Sequence, residues 1–367
     1  MKIEAIKETL SDAVSKAEKI AGRSATLPVL KGLHLIAHDN VLDIKATNLD
    51  LGISISIPVK MKEEGDVVVP ANILSSFLNS LAKEKSVTLE TDGQTLKVST
   101  GGVQTVIKTL SSEEFPIIPS IEDDEAFSIP ARDFVLGIRS VVYAAAVGSM
   151  KPELSSIYVY YEEDKLVFVA TDSFRLAEKK IKVKKIPHFK SILIPEKNAV
   201  EIARIFDDLK EDISISIGEN QIAFYGGNIY LVSRIIDGSF LDYRQVIPKE
   251  TSSSVVVLKQ DLASSLKTSM VFSDNFNQLL INLSPEEKKF EIQSRNNDVG
   301  ESVAGIEAVV EGEKLSTSVN HRYFVDCFQS IPGDTISLRF SGSDRPIVVE
   351  GAGDKSFIYL VMPMNRS

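Results

Sequence analysis

A chain of 367 residues, 43% hydrophobic and 25% charged, exceeds one hydrophobic core and predicts two or three globular domains. Its net charge of −10 excludes a protein that grips nucleic acid with its whole surface, because binders that live on phosphate neutralisation are basic. Cations gathered on one face remain compatible with it. The single cysteine, Cys327, excludes an internal disulfide framework. No apolar run nears the roughly 20 residues of a membrane helix, and the start, Met1 to Glu8, is charged and lacks a signal-peptide core. The expectation is a cytoplasmic protein.

In the first third, Ile6, Leu10, Val14, Ala17 and Ala21 recur at helical spacing. Leu33–Ala37, Val41–Ala46 and Ile53–Ile57 are short, alternating and β-branched, and predict strands. Asp66–Val69 leads through Pro70 into a second helix over Ala71–Leu78. Val87–Glu90, Leu96–Ser99 and Val103–Leu110 finish a meander. The middle third repeats this order: Phe127–Pro130 opens a helix, Ile157–Tyr161 and Leu166–Ala170 form a hairpin, and Ile192–Pro195 enters a second helix. Ile213–Ile217, Gln221–Tyr225 and Ile229–Ile236 close it. The last third does so again, from Val255–Leu258 and a helix with Leu262 and Leu266, through Leu315–Val319 and a helix with Phe324, to Phe357–Met362.

The first strand-helix entries, near Ile3, Phe127 and Val255, lie about 124 and 128 residues apart, and the second ones about 125 and 124 apart. An offset held through so many elements means three similar α+β domains, each with two helices packed on antiparallel sheets. Polar, proline-bearing joints at 118–125 and 247–254 place their borders at 1–122, 123–249 and 250–367.

Catalytic chemistry is not legible. The Gly101-Gly102 and Gly226-Gly227 pairs sit where hairpin turns belong, and no phosphate-cradling motif surrounds them. His34, His38, His188 and His321 lack metal-ligand spacing. Acidic pairs such as Asp123-Asp124 and Glu162-Glu163 fall in turns, and Thr171-Asp172-Ser173 has no histidine nearby in sequence. The expectation is no enzyme, no metal and no cofactor.

Ala170-Thr171-Asp172-Ser173-Phe174-Arg175-Leu176-Ala177, Asp237–Arg244 and Tyr359–Met364 resemble the β-subunit family of bacterial DNA polymerase III, the sliding clamps. Thr26–Leu30 and Ala46–Asp50 fit the same family, and the resemblance spans essentially the whole chain. It implies a DNA clamp fold assembled as a head-to-tail homodimeric ring of six like domains. Such a ring slides on double-stranded DNA without reading sequence and tethers polymerase as a processivity factor. Twelve helices about 10 Å wide give a circumference of roughly 120 Å and a hole of about 28 Å, enough for a duplex and water, whereas six give about 9 Å. Two chains are therefore needed. Topology then does the holding, so contacts to the phosphate backbone suffice.

By the same resemblance, Thr171, Arg175, Leu176, Leu241, Val246, Asn320, Tyr323, Pro346, Val361, Met362, Pro363 and Met364 line a groove for short apolar-aromatic peptide tails. The polymerase catalytic subunit, the clamp loader and repair proteins would compete for it. Leucine, valine and adaptable methionine supply its apolar floor. Here Leu241 replaces a frequent proline and Gln245 a frequent arginine, while Ser173-Phe174 stands where glycine with histidine or tyrosine is common. Arg23, Asn72, Lys151 and Lys197 fall at DNA-near positions, and Leu110, Val271 and Phe272 at the dimer joint. Other helix cations, among them Lys7, Lys19, Arg204, Lys259 and Arg322, are candidates to face the hole. The competing readings are a nucleic-acid-processing enzyme with an unrecognised site and a repeat scaffold that binds only proteins.

Overall fold

The computed structural model of the chain describes residues 1–22, 27–81, 84–121, 126–148, 150–186 and 189–364. Its first third holds β1 (Lys2–Ile6), α1 (Lys7–Ile20), β2 (Gly32–His38), β3 (Val41–Thr47), β4 (Leu51–Pro58) and β5 (Lys60–Glu63), then β6 (Gly65–Pro70), α2 (Ala71–Ser80), β7 (Ser86–Asp92), β8 (Thr95–Ser99) and β9 (Gln104–Lys108). The middle third holds β10 (Phe127–Pro130), α3 (Ala131–Val141), β11 (Ser156–Glu162), β12 (Lys165–Thr171) and β13 (Arg175–Lys182), then β14 (Ile192–Pro195), α4 (Glu196–Ile205), β15 (Asp212–Ile217), β16 (Gln221–Gly226) and β17 (Ile229–Arg234). The last holds β18 (Ser253–Leu258), α5 (Lys259–Ser269), β19 (Gln278–Ser284), β20 (Lys289–Asn296), β21 (Gly300–Ile306) and β22 (Ala308–Gly312), then β23 (Leu315–Asn320), α6 (His321–Asp326), β24 (Thr335–Phe340), β25 (Ile347–Gly351) and β26 (Phe357–Val361). Among the described residues the unit is a strand, a helix and three strands, made six times, with β5 and β22 added after the first and fifth copies. The α+β expectation holds.

Local sequence accounts for these elements. In α1 the buried residues Leu10, Ala13, Val14, Ala17 and Ile20 fall on one stripe, and in β3 alternate residues are buried. The helices begin directly from strands; the starts of α1, α2 and α5 have no side-chain cap, whereas Asn320 caps α6, accepting from the amide of Arg322 at 3.0 Å. The opening amides are satisfied instead by the residue before a strand of the facing half. Lys7 donates to Lys85, Ala131 to Glu211, Glu196 to Ser155, Lys259 to Asp334 and His321 to Asn277, at 2.8–3.2 Å. Helix starts that would otherwise leave orphan donors thus bind the two halves of each repeat together.

The described chain falls into two compact units that do not follow the repeats: Met1–Val135 with Val200–Ile235, and Leu136–Ala199 with Ile236–Ser367. The first contains a sheet in the order β5-β1-β7-β8-β9 and a second in the order β10-β15-β16-β17-β4-β3-β2-β6. Phe134 and Phe206 pack on Phe224 in its core, with centroids 5.3 and 6.0 Å away. The joint after the first repeat is held here, since the Tyr230 hydroxyl donates to the Pro119 carbonyl at 2.7 Å. The second unit contains a sheet in the order β14-β11-β12-β13-β26-β25-β24-β18-β22 and another in the order β21-β20-β19-β23. Gly137 of α3 lies flush on Phe168, where a Cβ would come within 2.3 Å of the ring.

A rule emerges from the sheets. Where consecutive repeats meet, the last strand of one repeat's first half pairs antiparallel with the last strand of the next repeat's second half. These pairs are β4 with β17 and β13 with β26. Two strands of the same kinds, β21 and β9, end their sheets unpaired on one side among the described residues. Strand β21 escapes sequence reading because its glycines, Gly300 and Gly305, and its polar residues weaken the strand pattern. Pairing with β20 is what makes it a strand.

Candidate partner-binding groove

The groove is built on a turn that the repeat supplies twice. The Thr171 hydroxyl donates to the Arg175 carbonyl at 2.6 Å and accepts from the Ser173 amide at 3.1 Å. Asp172 Oδ1 accepts from the amides of Phe174 and Arg175, both at 2.9 Å. Thr47 and Asn48 make the same four bonds, at 2.8–3.0 Å, to Leu49, Asp50 and Leu51. A short oxygen-bearing side chain that binds its own backbone two residues on is what closes such turns.

Only the second copy carries Arg175. Its Nε donates to Asp172 Oδ2 at 2.9 Å, its Nη1 to Asp326 of α6, and its guanidinium lies 4.7 Å over the Tyr323 ring. Burial opposes its charge, but Tyr359, Asp172 and Asp326 more than compensate and push its pKa above the ordinary value. Arg175 therefore joins β13 to the helix that bears Tyr323. Sequence reasoning missed Asp326, which lies 151 residues away in the chain.

Strand pairing brings the C-terminal tail to the same place. Arg175 lies opposite Val361, and Val361 opposite Ile347, which seats Pro346 beside the tail. Beyond the strand, the Met362 amide donates to the Phe174 carbonyl at 2.8 Å and the Met364 amide to the Ser318 carbonyl at 2.7 Å. The exit segment of the middle repeat forms the opposite wall. Tyr243 is buried among Val167, Val169, Leu176, Val348 and Leu360, with Phe240 and Ile247 packed around them. Leu241 and Val246, on either side of Tyr243, stay exposed.

All twelve predicted groove residues therefore lie in one compact unit. Thr171, Leu176, Pro346 and Val361 are buried and form its floor, whereas Leu241, Val246 and Met362 are exposed. Phe174, 61% exposed beside them, was noted in the sequence only as a departure and belongs with the exposed set. A cleft of about 560 Å³ continues the groove past Val246, Pro346 and Met362 toward Lys249 and Arg345.

Arg23 lies outside the described residues, as does His188. Asn72 is exposed at the start of α2 and shares a polar cleft with Glu18, Lys19, Lys31, Glu201 and Arg204. Lys151 and Lys197 are exposed in the other unit. Lys259 is half-buried, and its ammonium is engaged, donating to the carbonyls of Ile331 and Phe328 at 2.8 and 3.3 Å. Arg204 is engaged by Glu201 at 3.0 Å. Val271 is 69% exposed. Phe272 is half-buried near Gly300, and Leu110 is half-buried with its amide on the Val68 carbonyl. Among the described residues no three His, Cys, Asp or Glu side chains gather as a metal site. No helix there is long and apolar enough to cross a membrane.

A sixfold strand-helix-strand pattern with a groove at the end of one shared sheet defines a clamp-type repeat protein, and sequence comparison agrees. The chain belongs to the DNA polymerase III beta subunit family, matching its N-terminal domain over residues 1–119, its central domain over 128–242 and its C-terminal domain over 244–365. It is 27% identical to the beta sliding clamp of Bacillus subtilis (strain 168) over 99% of both chains. It is 25% identical to the beta sliding clamp of Staphylococcus aureus (strain Mu50 / ATCC 700699) over 92% of both. The crystal structure of the Bacillus subtilis DNA polymerase sliding clamp superposes with a TM-score of 0.94 at 26% identity, covering 100% of each chain. The Thermotoga maritima beta subunit shares the fold at a TM-score of 0.94 and 24% identity, again over 100% of each chain.

Proposed function

We propose that the protein is a cytoplasmic sliding clamp, a non-catalytic processivity factor that encircles duplex DNA and tethers the replicative polymerase and its clients. Its three domains would span 1–122, 123–249 and 250–367. Family membership across the three domain matches carries this reading. The sheet rule supports the ring. If a second copy pairs its β9 with β21, the pairing already seen between β4 and β17 and between β13 and β26 is repeated at a third kind of joint. The outer face of β9 carries Val106 and Lys108, and that of β21 carries Val303 and Glu301, all exposed. Antiparallel pairing with valine opposite valine sets lysine opposite glutamate, a combination that stabilises cross-strand contacts.

The groove takes an extended apolar-aromatic peptide from the polymerase, the loader or repair proteins. Exposed Phe174, Leu241, Val246 and Met362 beside a buried aliphatic floor suit alternating side chains of such a strand. By family position, Asn72, Lys151 and Lys197 would make the sequence-independent phosphate contacts that guide sliding. The test is retention on DNA. The protein, loaded onto nicked circular DNA, should stay bound and should escape when the circle is linearised. Equal loss from both forms, with a monomeric mass at micromolar concentration, would sink the reading.

A further inference from the structure

Beneath the exposed wall of the groove runs a directed chain of hydrogen bonds. Arg244 Nη2 donates to the Tyr160 hydroxyl at 2.8 Å and also pairs with Glu162. The Tyr160 and Tyr243 hydroxyls are 2.7 Å apart, and the Tyr243 hydroxyl donates to Glu178. Since Tyr243 spends its proton on the carboxylate, Tyr160 must be the donor between the two phenols. Glu178 also receives Lys180 at 2.9 Å. Glu178 and Tyr243 are 4% and 3% exposed. Burial and the facing carboxylate both raise the Tyr243 pKa, so the phenol keeps its proton.

The chain joins two parts of the groove that no covalent neighbour holds together. Glu178 sits on β13 two residues beyond Leu176, which is floor. Tyr243 opens a 3-10 turn, Tyr243–Val246, which ends on the exposed Val246 and follows the exposed Leu241. Stacking reinforces the attachment, because Phe240 lies on Tyr158 with centroids 4.9 Å apart and planes at 11°. A buried carboxylate with two partners is satisfied, but with one removed it becomes costly. The segment must therefore stay where Tyr243 can reach Glu178.

We propose that Glu178 is a positioning residue for partner recognition: through Tyr243 it fixes the spacing between the Leu176 floor and the Leu241–Val246 wall. Glu178 touches no peptide itself. The inference rests on the groove being the peptide site.

The experiment uses the full chain and a synthetic peptide with leucines at alternate positions and a terminal phenylalanine, with calorimetry as the readout. Tyr243→Phe and Glu178→Gln should each weaken binding about tenfold, the loss expected for one charge-assisted bond. The double variant should be no weaker than the worse single, because both act on the same bond: Phe removes its donor and Gln the charge of its acceptor. A purely structural role would lower the melting temperature and leave the affinity of the folded variants unchanged. Tyr160→Phe, in the partly exposed middle of the chain, should give a smaller loss in the same direction and keeps the test open if a buried variant fails to fold. Wild-type binding with unchanged affinity in the folded variants overturns this inference alone. Failure of the wild type to bind overturns the groove reading, and this one with it.

Discussion

Leu49 and Ser173 share one backbone conformation, a left-handed φ of 78° each, at equivalent places in two copies of one turn. A side chain pays for this conformation and glycine does not. Leu49 is 54% exposed, so little packing is lost with it. Leu49→Gly should stabilise the protein by about 0.5 kcal/mol, the left-handed gain less the added freedom of the unfolded chain. A higher urea midpoint with unchanged slope checks it.

Gly137→Ala should act in the opposite sense. Its Cβ would fall 2.3 Å from a ring carbon of buried Phe168, and the ring must move within a filled core. A loss of about 1–3 kcal/mol is expected for such overpacking. Gly137→Ala combined with Phe168→Leu should recover part of it.

The open strands give a prediction about assembly. Val106→Glu or Val303→Glu should turn dimers into folded monomers in sedimentation, because each sets a charge in the valine pair. Lys108→Glu should weaken the dimer, and Glu301→Lys in the same chain should restore it. Such exposed cross-strand pairs contribute about 0.2–1 kcal/mol, so the swap should move the dimer constant by less than the valine changes do.

Acid should loosen the groove through His321. Burial first, then Arg322, lowers its pKa below the ordinary 6.5, against the pull of the Asn277 carbonyl and Asp274. The unfolded chain takes up a proton near that ordinary value while the folded one resists. The contribution is therefore complete above about pH 6.5 and is lost as pH falls through the lower folded value. His321→Gln should flatten the fall in stability between pH 7 and 5. Peptide affinity should follow the same curve, since α6 also carries Tyr323.

The 171–175 turn was legible because its chemistry is local: a threonine, an aspartate and backbone within five residues. The repeat was legible because it is periodic. Asp326 and Glu178 were not, for their partners lie 151 and 65 residues away, and an isolated acid in sequence reads as surface. Lys259 misleads in the converse way. Its place at the start of a helix suggests a solvent-facing cation, and only the fold brings two carbonyls to it. Cys327 is buried, and burial raises its thiol pKa.

The borders of compactness and of repetition do not coincide in this chain. A fragment cut at 123–249 would carry one whole hereditary unit, yet it would strip β17 of β4 and β13 of β26 and leave two strand edges unpaired at once. Such edges invite aggregation. The portion that evolution copied is thus not one that can be lifted out and expected to stand, and domain truncations of this protein are better planned along its sheets than along its repeats.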